Sequence, residues 1–214
     1  MTNETITESL QSNAVFQAWA HMRGNMKYDS LRFARHAFDA IAAGEPTTVE
    51  AAAEALGISV DQAQEHVEKF EAFGLMNRED NTIVGALGLT TQETQYDVEL
   101  NGRKLHVWCA LDAVGIPAAL GADARIKVDG LADIEVQAGQ LSTAEPDSLR
   151  ISLNDPYMEP NMKAQICPTI SFHKEAGPDH EAVAWLNVEE AMELGRVIWA
   201  PPTPENTRQD DASS

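Results

Sequence analysis

Residues 85–121, GALGLTTQETQYDVELNGRKLHVWCALDAVGIPAALG, contain the clearest structural pattern in this chain of 214 residues. Apolar and polar residues alternate in 94–100 and again in 103–108, which predicts two strands. The Asn101-Gly102 pair between them is typical of a two-residue hairpin turn. The apolar stretch that follows the second strand predicts a helix that ends at residues 115–117, where Gly and Pro occur.

Downstream of this block, the pattern predicts a mainly β region with a few helices. Strand-like pieces occur at 124–128, 132–138, 148–153 and 165–173. Residues 182–198 are expected to form a closing helix, and residues 201–214 a disordered acidic tail. Residues 86–200 are therefore predicted to be one domain.

Upstream, helical periodicity, together with Gly or Ser residues at the expected helix ends, predicts a series of short helices. Two helices are expected between residues 14 and 43, with a break near Arg23-Gly24-Asn25, and a third ends at Gly57. Ser59 is expected to cap a fourth helix. The apolar face of that helix is predicted to contain Val60, Ala63, Val67 and Phe70.

Two short strands around a polar turn at 79–81 follow the helices, and this order is typical of a winged helix. The predicted fold class is α+β, with a winged-helix-like region at 14–85, preceded by a flexible N-terminus at 1–13 and followed by the mainly β region.

The charge balance argues against nucleic acid and anionic membranes as partners. Thirty-four Asp and Glu against fifteen Lys and Arg give a net charge of −19, which repels phosphate groups. The expected recognition helix, 59–73, has one Lys against four acidic residues. We therefore interpret the winged-helix-like region as a scaffold, with a DNA-binding regulator as the less favoured interpretation.

The composition predicts a cytoplasmic protein. Mean hydropathy is −0.29, no apolar run approaches the length of a membrane helix, and the N-terminus lacks the features of a secretory signal. Only two cysteines occur, Cys109 and Cys167, so a disulfide framework is not expected. They are either buried apolar residues or part of a reactive site.

Cys109 and Asp112 lie where a predicted strand passes into a predicted helix. Residues three apart share one face of a helix, so the thiol and the carboxyl are within reach of each other. The helix start favours a thiolate, and the apolar surroundings should raise the pKa of the carboxyl. The alternatives are a core cysteine beside a helix-capping aspartate, and for Cys167 a buried strand residue.

The block at 85–121 resembles the organomercurial lyases, also called alkylmercury lyases, and the resemblance extends over about residues 30–200. It rests on a Gly-Leu-Thr strand, a hairpin with a Gly-Arg turn, a Trp-Cys-Ala-x-Asp sequence and a following Pro. Cys167 with Phe172 is similar to the second cysteine and the later aromatic residue of the family. The matching residues of the Trp-Cys block are Trp108, Cys109, Ala110, Asp112 and Pro117.

The resemblance implies protonolytic cleavage of carbon–mercury bonds to a hydrocarbon and Hg(II), as part of mercury detoxification. Residues 86–200 would be the lyase catalytic domain. Within it, Cys109, Cys167 and Asp112 would be catalytic and would hold the Hg(II) product. Trp108, His106 and Phe172 are the expected substrate-pocket residues. No cofactor is implied, but external low-molecular-weight thiols are, together with handover of Hg(II) to those thiols or to a mercuric reductase.

Two alternatives remain beside the lyase. One is a non-catalytic mercury- or metal-binding protein, including a metal-sensing winged-helix protein, that uses the same two cysteines. The other is a family member that has lost its activity.

Overall fold

The computed structural model describes residues 14–128, 130, 133–142, 149–157, 161–174 and 182–208. The flexible N-terminus predicted for 1–13 lies outside these residues. None of the described helices combines the length and the apolar character needed to cross a bilayer. The helices are α1 (Ala14–Gly24), α2 (Tyr28–Ala42), α3 (Val49–Leu56), α4 (Val60–Ala72), α5 (Ala110–Leu120) and α6 (Val188–Ile198).

The described strands form two antiparallel sheets. The strands are β1 Met76–Glu79, β2 Thr82–Ala86, β3 Leu89–Thr90, β4 Tyr96–Leu100, β5 Arg103–Val107, β6 Ala124–Ile126, β7 Ile134–Gln137, β8 Gln140–Leu141, β9 Arg150–Leu153, β10 Phe172–His173 and β11 Ala184–Leu186. The larger sheet has the order β1-β2-β3-β5-β4-β6-β7-β8, and the smaller has the order β10-β9-β11. The chain is thus a mixture of helices and antiparallel sheet.

The helices near the N-terminus follow the local signals in the sequence. Gly57 ends α3 with a positive φ of 68°, a conformation that costs glycine little. The Ser59 side chain accepts from the backbone of Gln62, whose own side chain accepts from the Ser59 N–H, so a capping box begins α4. On the predicted apolar face of α4, Ala63, Val67 and Phe70 are buried, whereas Val60, the first residue of the helix, is 46% exposed.

The order of helices and hairpin predicted for 14–85 is present. Helices α2, α3 and α4 precede the β1–β2 hairpin, whose strands are joined by a turn at Asp80-Asn81. Strand β2 pairs with β3, so the large sheet continues from the hairpin into the β-rich half of the chain. Assignment of these elements to the winged-helix class remains a prediction.

Helix α5 continues through Pro117, contrary to the predicted end at 115–117. Proline removes one N–H, but the residues around it are almost fully buried and pack against α6. The helix ends instead at Gly121, which has a φ of 61°. Burial of nearly all of α5 therefore outweighs the unfavourable proline.

Two further predictions in the C-terminal half are wrong. Residues 165–173 do not form a strand: a π-helical turn, Met162–Ile166, leads into a 3₁₀ turn, Cys167–Thr169, and only Phe172–His173 is a strand. Proline at 168 has no N–H for a sheet but fits the start of a helical turn. The closing helix begins at Val188, because Asn187 caps it.

The predicted disordered tail does not begin at residue 201, since residues 201–208 pack on the body of the protein. The Arg208 N–H donates to the Met26 carbonyl at 3.1 Å, and its own carbonyl accepts from Tyr28 N–H at 3.2 Å. These bonds join the end of the described chain to the α1–α2 junction. Residues 209–214 lie outside the described residues.

Helices α5 and α6 approach closely at two glycines, and this contact yields a stability prediction. A methyl group on Gly195 would overlap the backbone of Gly115, so Gly195→Ala is expected to lower the free energy of unfolding by about 1–3 kcal/mol. Gly24→Ala is the matched control, because no heavy atom lies within 4 Å of the added methyl group. Chemical denaturation measures both, and equal stability of the two variants would contradict close packing here.

Candidate active site

Cys109 and Asp112 meet at the junction between β5 and α5. Cys109 is the extended residue that precedes the helix, and its backbone N–H donates to Asp112 Oδ2 at 3.0 Å. The preceding Trp108 N–H donates to the Gly88 carbonyl at 3.0 Å, which ties the junction to the large sheet. Asp112 therefore caps the helix and also places its carboxyl beside the thiol.

Cys167 reaches the same place from a distant part of the chain. It begins the 3₁₀ turn after the π-helical turn, and the first N–H of α5, at Ala110, donates to the Ile170 carbonyl at 3.1 Å. The sulfur atoms of Cys109 and Cys167 and a carboxylate oxygen of Asp112 all lie within 4.8 Å of one another. The structure thus brings together the three residues expected to be catalytic.

Burial controls the acidity of the carboxyl. Asp112 is only 5% exposed, and this desolvation raises its pKa from 3.8 to about 7, against the opposing effect of hydrogen bonds from Cys109 and Trp108. The prediction of a raised pKa is confirmed. A carboxyl that titrates near neutral pH can both accept and deliver a proton there.

The expectation that the helix start favours a thiolate at Cys109 is wrong. Burial raises the pKa of Cys109 well above its ordinary value, and its hydrogen bond with Cys167 and the charge of Asp112 add to this rise. The hydrogen bond from the Asp112 backbone at the helix start acts in the opposite direction but is weaker. Cys109 is therefore a protonated thiol until a ligand replaces its proton.

Two side chains from different elements lie beside the thiols. Trp108 lines the cavity next to them, and the Lys163 ammonium group lies 5.2 Å from the centre of the indole ring. Burial lowers the pKa of Lys163, while the nearby Cys167 opposes that shift. The lysine therefore places a positive charge near the second thiol.

The other two expected pocket residues have different neighbours. His106 lies opposite Asp97 in the β4–β5 pairing, and its Nδ1 is 2.9 Å from Asp97 Oδ1. Phe172 packs edge-on against Tyr96, with ring centres 5.7 Å apart. Neither side chain lines the cavity at the thiols, because cross-strand pairing directs His106 toward Asp97 and Phe172 is engaged by Tyr96.

Two neighbouring cavities with shared lining residues lie at the site. The inner cavity, about 50 Å³, is lined by Cys109, Asp112 and Cys167 together with residues of α1 and of the chain after α6. The outer cavity, about 580 Å³, lies between α1, α4 and Tyr157 and is mainly apolar. The residues that line both cavities are Met22, Met26, Leu75 and Met162.

Sequence reasoning assigned no role to Gly88, Tyr96 or Arg23, which also lie at the site. Gly88 has a φ of 95°, and a Cβ there would lie 2.5 Å from Asp112 Oδ1, so only glycine leaves room for the carboxyl. The pKa of Tyr96 is raised by burial and further by Cys109 and Asp112. Arg23 lines the inner cavity. Gly88 stands in the Gly-Leu-Thr stretch, whereas the sequence near Arg23 contains no comparable signal.

Comparison with known proteins identifies relatives over most of the chain. The family model MerB, described as alkylmercury lyase, matches residues 89–199. An alkylmercury lyase of Pseudomonas putida is 32% identical over 168 residues, which are 72% of this chain and 77% of the relative. One from Streptomyces lividans is 28% identical over 169 residues, 74% of this chain and 77% of the relative.

A solved structure supports the fold. The mercury-bound form of MerB2 superposes with a TM-score of 0.74 at 24% identity, covering 87% of this chain and 98% of that chain. The family model matches more than half of the chain, and its matched part includes Cys109, Asp112 and Cys167. From this match and the sequence identity to its relatives, the chain belongs to the alkylmercury lyase family.

Proposed function

We propose that this protein is an organomercurial lyase, which cleaves the carbon–mercury bond of its substrate to a hydrocarbon and Hg(II) in mercury detoxification. The observation that carries the proposal is the cluster of two thiols and one carboxyl within 4.8 Å of one another. Thiolates are the protein ligands that a soft metal such as mercury prefers. Family membership supports the same function.

The reaction begins with capture of the substrate, R–Hg–X, where X is an external thiolate. Cys109 sulfur forms a bond to mercury and loses its proton, while X leaves. Asp112 receives this proton, which its pKa of about 7 permits at neutral pH. The Cys109 thiol has a raised pKa when free, so mercury itself displaces the proton.

Cleavage requires the second thiol and the carboxylic acid. Cys167 adds to mercury as a second thiolate, its proton leaves with X as the free thiol, and electron density on mercury increases. Protonated Asp112 then transfers its proton to the carbon atom bonded to mercury, the carbon–mercury bond breaks, and R–H departs. Hg(II) remains bound to Cys109 and Cys167, with the Asp112 carboxylate beside it.

Release of Hg(II) is the step for which the protein needs another molecule. Two thiolates bind mercury tightly, so turnover is expected to require external low-molecular-weight thiols or a partner dithiol, such as that of a mercuric reductase. The proposed chemistry otherwise uses only side chains of the chain and no bound cofactor.

The non-catalytic alternative, a metal-binding or metal-sensing protein, is less favoured. It accounts for the two thiols but not for a carboxyl with a pKa of about 7 beside them. In the lyase, that carboxyl has a defined task as the proton carrier.

The test is direct measurement of the hydrocarbon. Purified protein is incubated with phenylmercury or methylmercury and excess thiol, and benzene or methane is measured by gas chromatography. Release in proportion to protein and over several turnovers is the expected result. Stoichiometric mercury binding without hydrocarbon would instead favour the non-catalytic alternative.

We further propose that residues 14–85 are a winged-helix-like scaffold for the site and that the protein works in the cytoplasm. Three side chains of α1 line the inner cavity, namely Trp19, Met22 and Arg23. The Trp19 indole N–H also donates to the Asn154 carbonyl at 2.9 Å, which links α1 to the C-terminal half. These contacts support a role for the N-terminal helices in building the cavity.

The scaffold proposal predicts that DNA is not bound. Residues 59–73 have four acidic residues and one Lys, so this helix cannot neutralise phosphates. In a mobility-shift assay at about 0.1–0.15 M salt, we expect no specific complex. A sequence-specific band at nanomolar protein would contradict the scaffold and favour a regulator.

A further inference from the structure

Arg23 is a buried cation whose hydrogen bonds are incomplete. Its side chain lies near the end of α1, and the residue is 7% exposed. Nε donates to the Ile198 carbonyl at 3.1 Å and Nη2 to the Ala200 carbonyl at 2.9 Å. Nη1 is buried and has no hydrogen-bond partner within the described part of the chain. One end of the guanidinium is therefore held in place, and the other is available.

The protein supplies Arg23 with no counter-charge among its described residues. Its neighbour Arg35, which lines the same cavity, is paired with Asp39 at 2.8 Å, but Arg23 has no such carboxylate. Burial and Arg35 lower the pKa of Arg23 to about 10, so the group stays charged at neutral pH. An unpaired buried charge is unfavourable, and an anionic ligand would relieve that cost.

Asp112 does not serve as the missing partner. The Asp112 carboxyl accepts from the Cys109 N–H at 3.0 Å. Arg23 donates through Nε and Nη2 to backbone carbonyls, and its Nη1 has no partner among the described residues, so no hydrogen bond joins the two side chains. Arg23 and the two thiols all line the inner cavity. A ligand that binds mercury at one point and carries an anion at another would contact both.

We propose that Arg23 binds a carboxylate that enters the inner cavity on the ligand that carries mercury. A guanidinium forms strong charge-assisted hydrogen bonds with carboxylates, and a cavity of about 50 Å³ admits a group of that size. This inference rests on the proposed lyase function. The carboxylate has two possible sources: the external thiol that delivers mercury or removes it, or the organic group of the substrate.

The experiment measures the KM of the organomercurial in matched pairs of ligands, and the two members of a pair differ only in the carboxylate. For the thiol source, phenylmercury is supplied with 3-mercaptopropionate or with 3-mercaptopropionamide, compared at equal thiolate concentration. For the organic group, 4-carboxyphenylmercury is compared with phenylmercury, both with 2-mercaptoethanol. Release of benzene from phenylmercury, and of benzoate from 4-carboxyphenylmercury, is followed by chromatography in the wild type, in Arg23→Gln and in Arg32→Gln. Arg32 is a matched control, because it donates to the Leu56 carbonyl at 2.9 Å and does not line either cavity.

In the wild type, KM is expected to be about tenfold lower for the carboxylate member of one pair than for its neutral member. The pair that shows this difference identifies whether the thiol or the organic group supplies the carboxylate. In Arg23→Gln the ratio of the two KM values should fall to about one, while Arg32→Gln keeps the wild-type ratio. A wild type without preference in either pair, or a preference that survives in Arg23→Gln, would overturn the inference.

Two further outcomes separate carboxylate binding by Arg23 from a purely structural role of this residue and from the absence of lyase activity. If Arg23→Gln weakens the carboxylate and neutral ligands equally, Arg23 only supports the segment that contains Ile198 and Ala200, and the inference is overturned. If the wild type releases no hydrocarbon from phenylmercury with 2-mercaptoethanol, the lyase proposal itself fails.

Discussion

Replacement of Cys109 or Cys167 by alanine is expected to reduce hydrocarbon release to the rate measured without protein. Each sulfur supplies one of the two bonds that hold mercury during cleavage, and the described residues offer no third thiol near the cluster. The two variants should differ in binding. Cys167→Ala retains the thiol beside Asp112 and should capture one equivalent of phenylmercury without cleaving it.

The control for these variants must match the loss of buried volume. Both cysteines are buried, so each substitution should cost about 1–2 kcal/mol of stability, well within the usual stability of a domain. Ile134→Val removes one buried methylene from β7, away from both cavities, and should keep full activity at a similar loss of stability. Full activity in either cysteine variant would refute the two-thiolate mechanism.

Asp112→Asn is expected to bind phenylmercury through both thiols but to cleave it about 10²–10⁴-fold more slowly. Asparagine can still accept the hydrogen bond from the Cys109 N–H, but it cannot carry a proton to carbon. Titration of free thiols after mixing measures binding, and gas chromatography then measures cleavage. Loss of cleavage with retained binding would assign Asp112 to proton transfer.

The same variant should have an unusual effect on stability. The pKa of Asp112 is about 7 in the folded protein against an ordinary value of 3.8, so the folded state retains the proton over a pH range in which the unfolded state has lost it. Stability therefore falls as pH rises from about 4 to 7, by at most about 4 kcal/mol. Because asparagine does not ionise, the variant should be more stable than the wild type at pH 8, by a smaller margin at pH 5.

A purely architectural role for Asp112 predicts the opposite result. A neutral amide at the start of α5 interacts less favourably with the helix dipole than a carboxylate does, so a capping role alone predicts a stability loss of about 1 kcal/mol with nearly normal turnover of the folded protein. Thermal melts at pH 5 and pH 8, together with the rate of hydrocarbon release, distinguish the two roles. A destabilised variant with normal turnover would make Asp112 a capping residue only.

Short-range signals explain why much of the fold was predictable. The capping box at Ser59, the left-handed Gly57 and the Asn101-Gly102 turn each depend on bonds between residues a few positions apart, and these features are present in the structure. The Cys109–Asp112 pair belongs to the same class, because one helical turn sets its geometry. For that reason the sequence predicted that the thiol and the carboxyl lie within reach of each other.

Predictions failed where packing between distant segments outweighs local preference. Pro117 is typical of a helix end, but α5 continues because almost all of it is buried and it packs on α6. The apolar stretch around Cys167 resembles a strand, yet a proline and hydrogen bonds to other segments make it a helical turn. Hydrophobic pattern alone does not distinguish these outcomes in short segments.

The sequence by itself determined the local elements, the acidic surface and the identity of the three reactive groups. Only the tertiary structure decided that Cys167, 58 residues from Cys109, lies against it, and that burial makes Cys109 a thiol and Asp112 a group that titrates near pH 7. It also decided that Arg23 faces the same cavity. The physical reason is that burial and contacts between segments far apart in the chain arise only when the whole core packs, whereas caps and turns form from neighbouring residues.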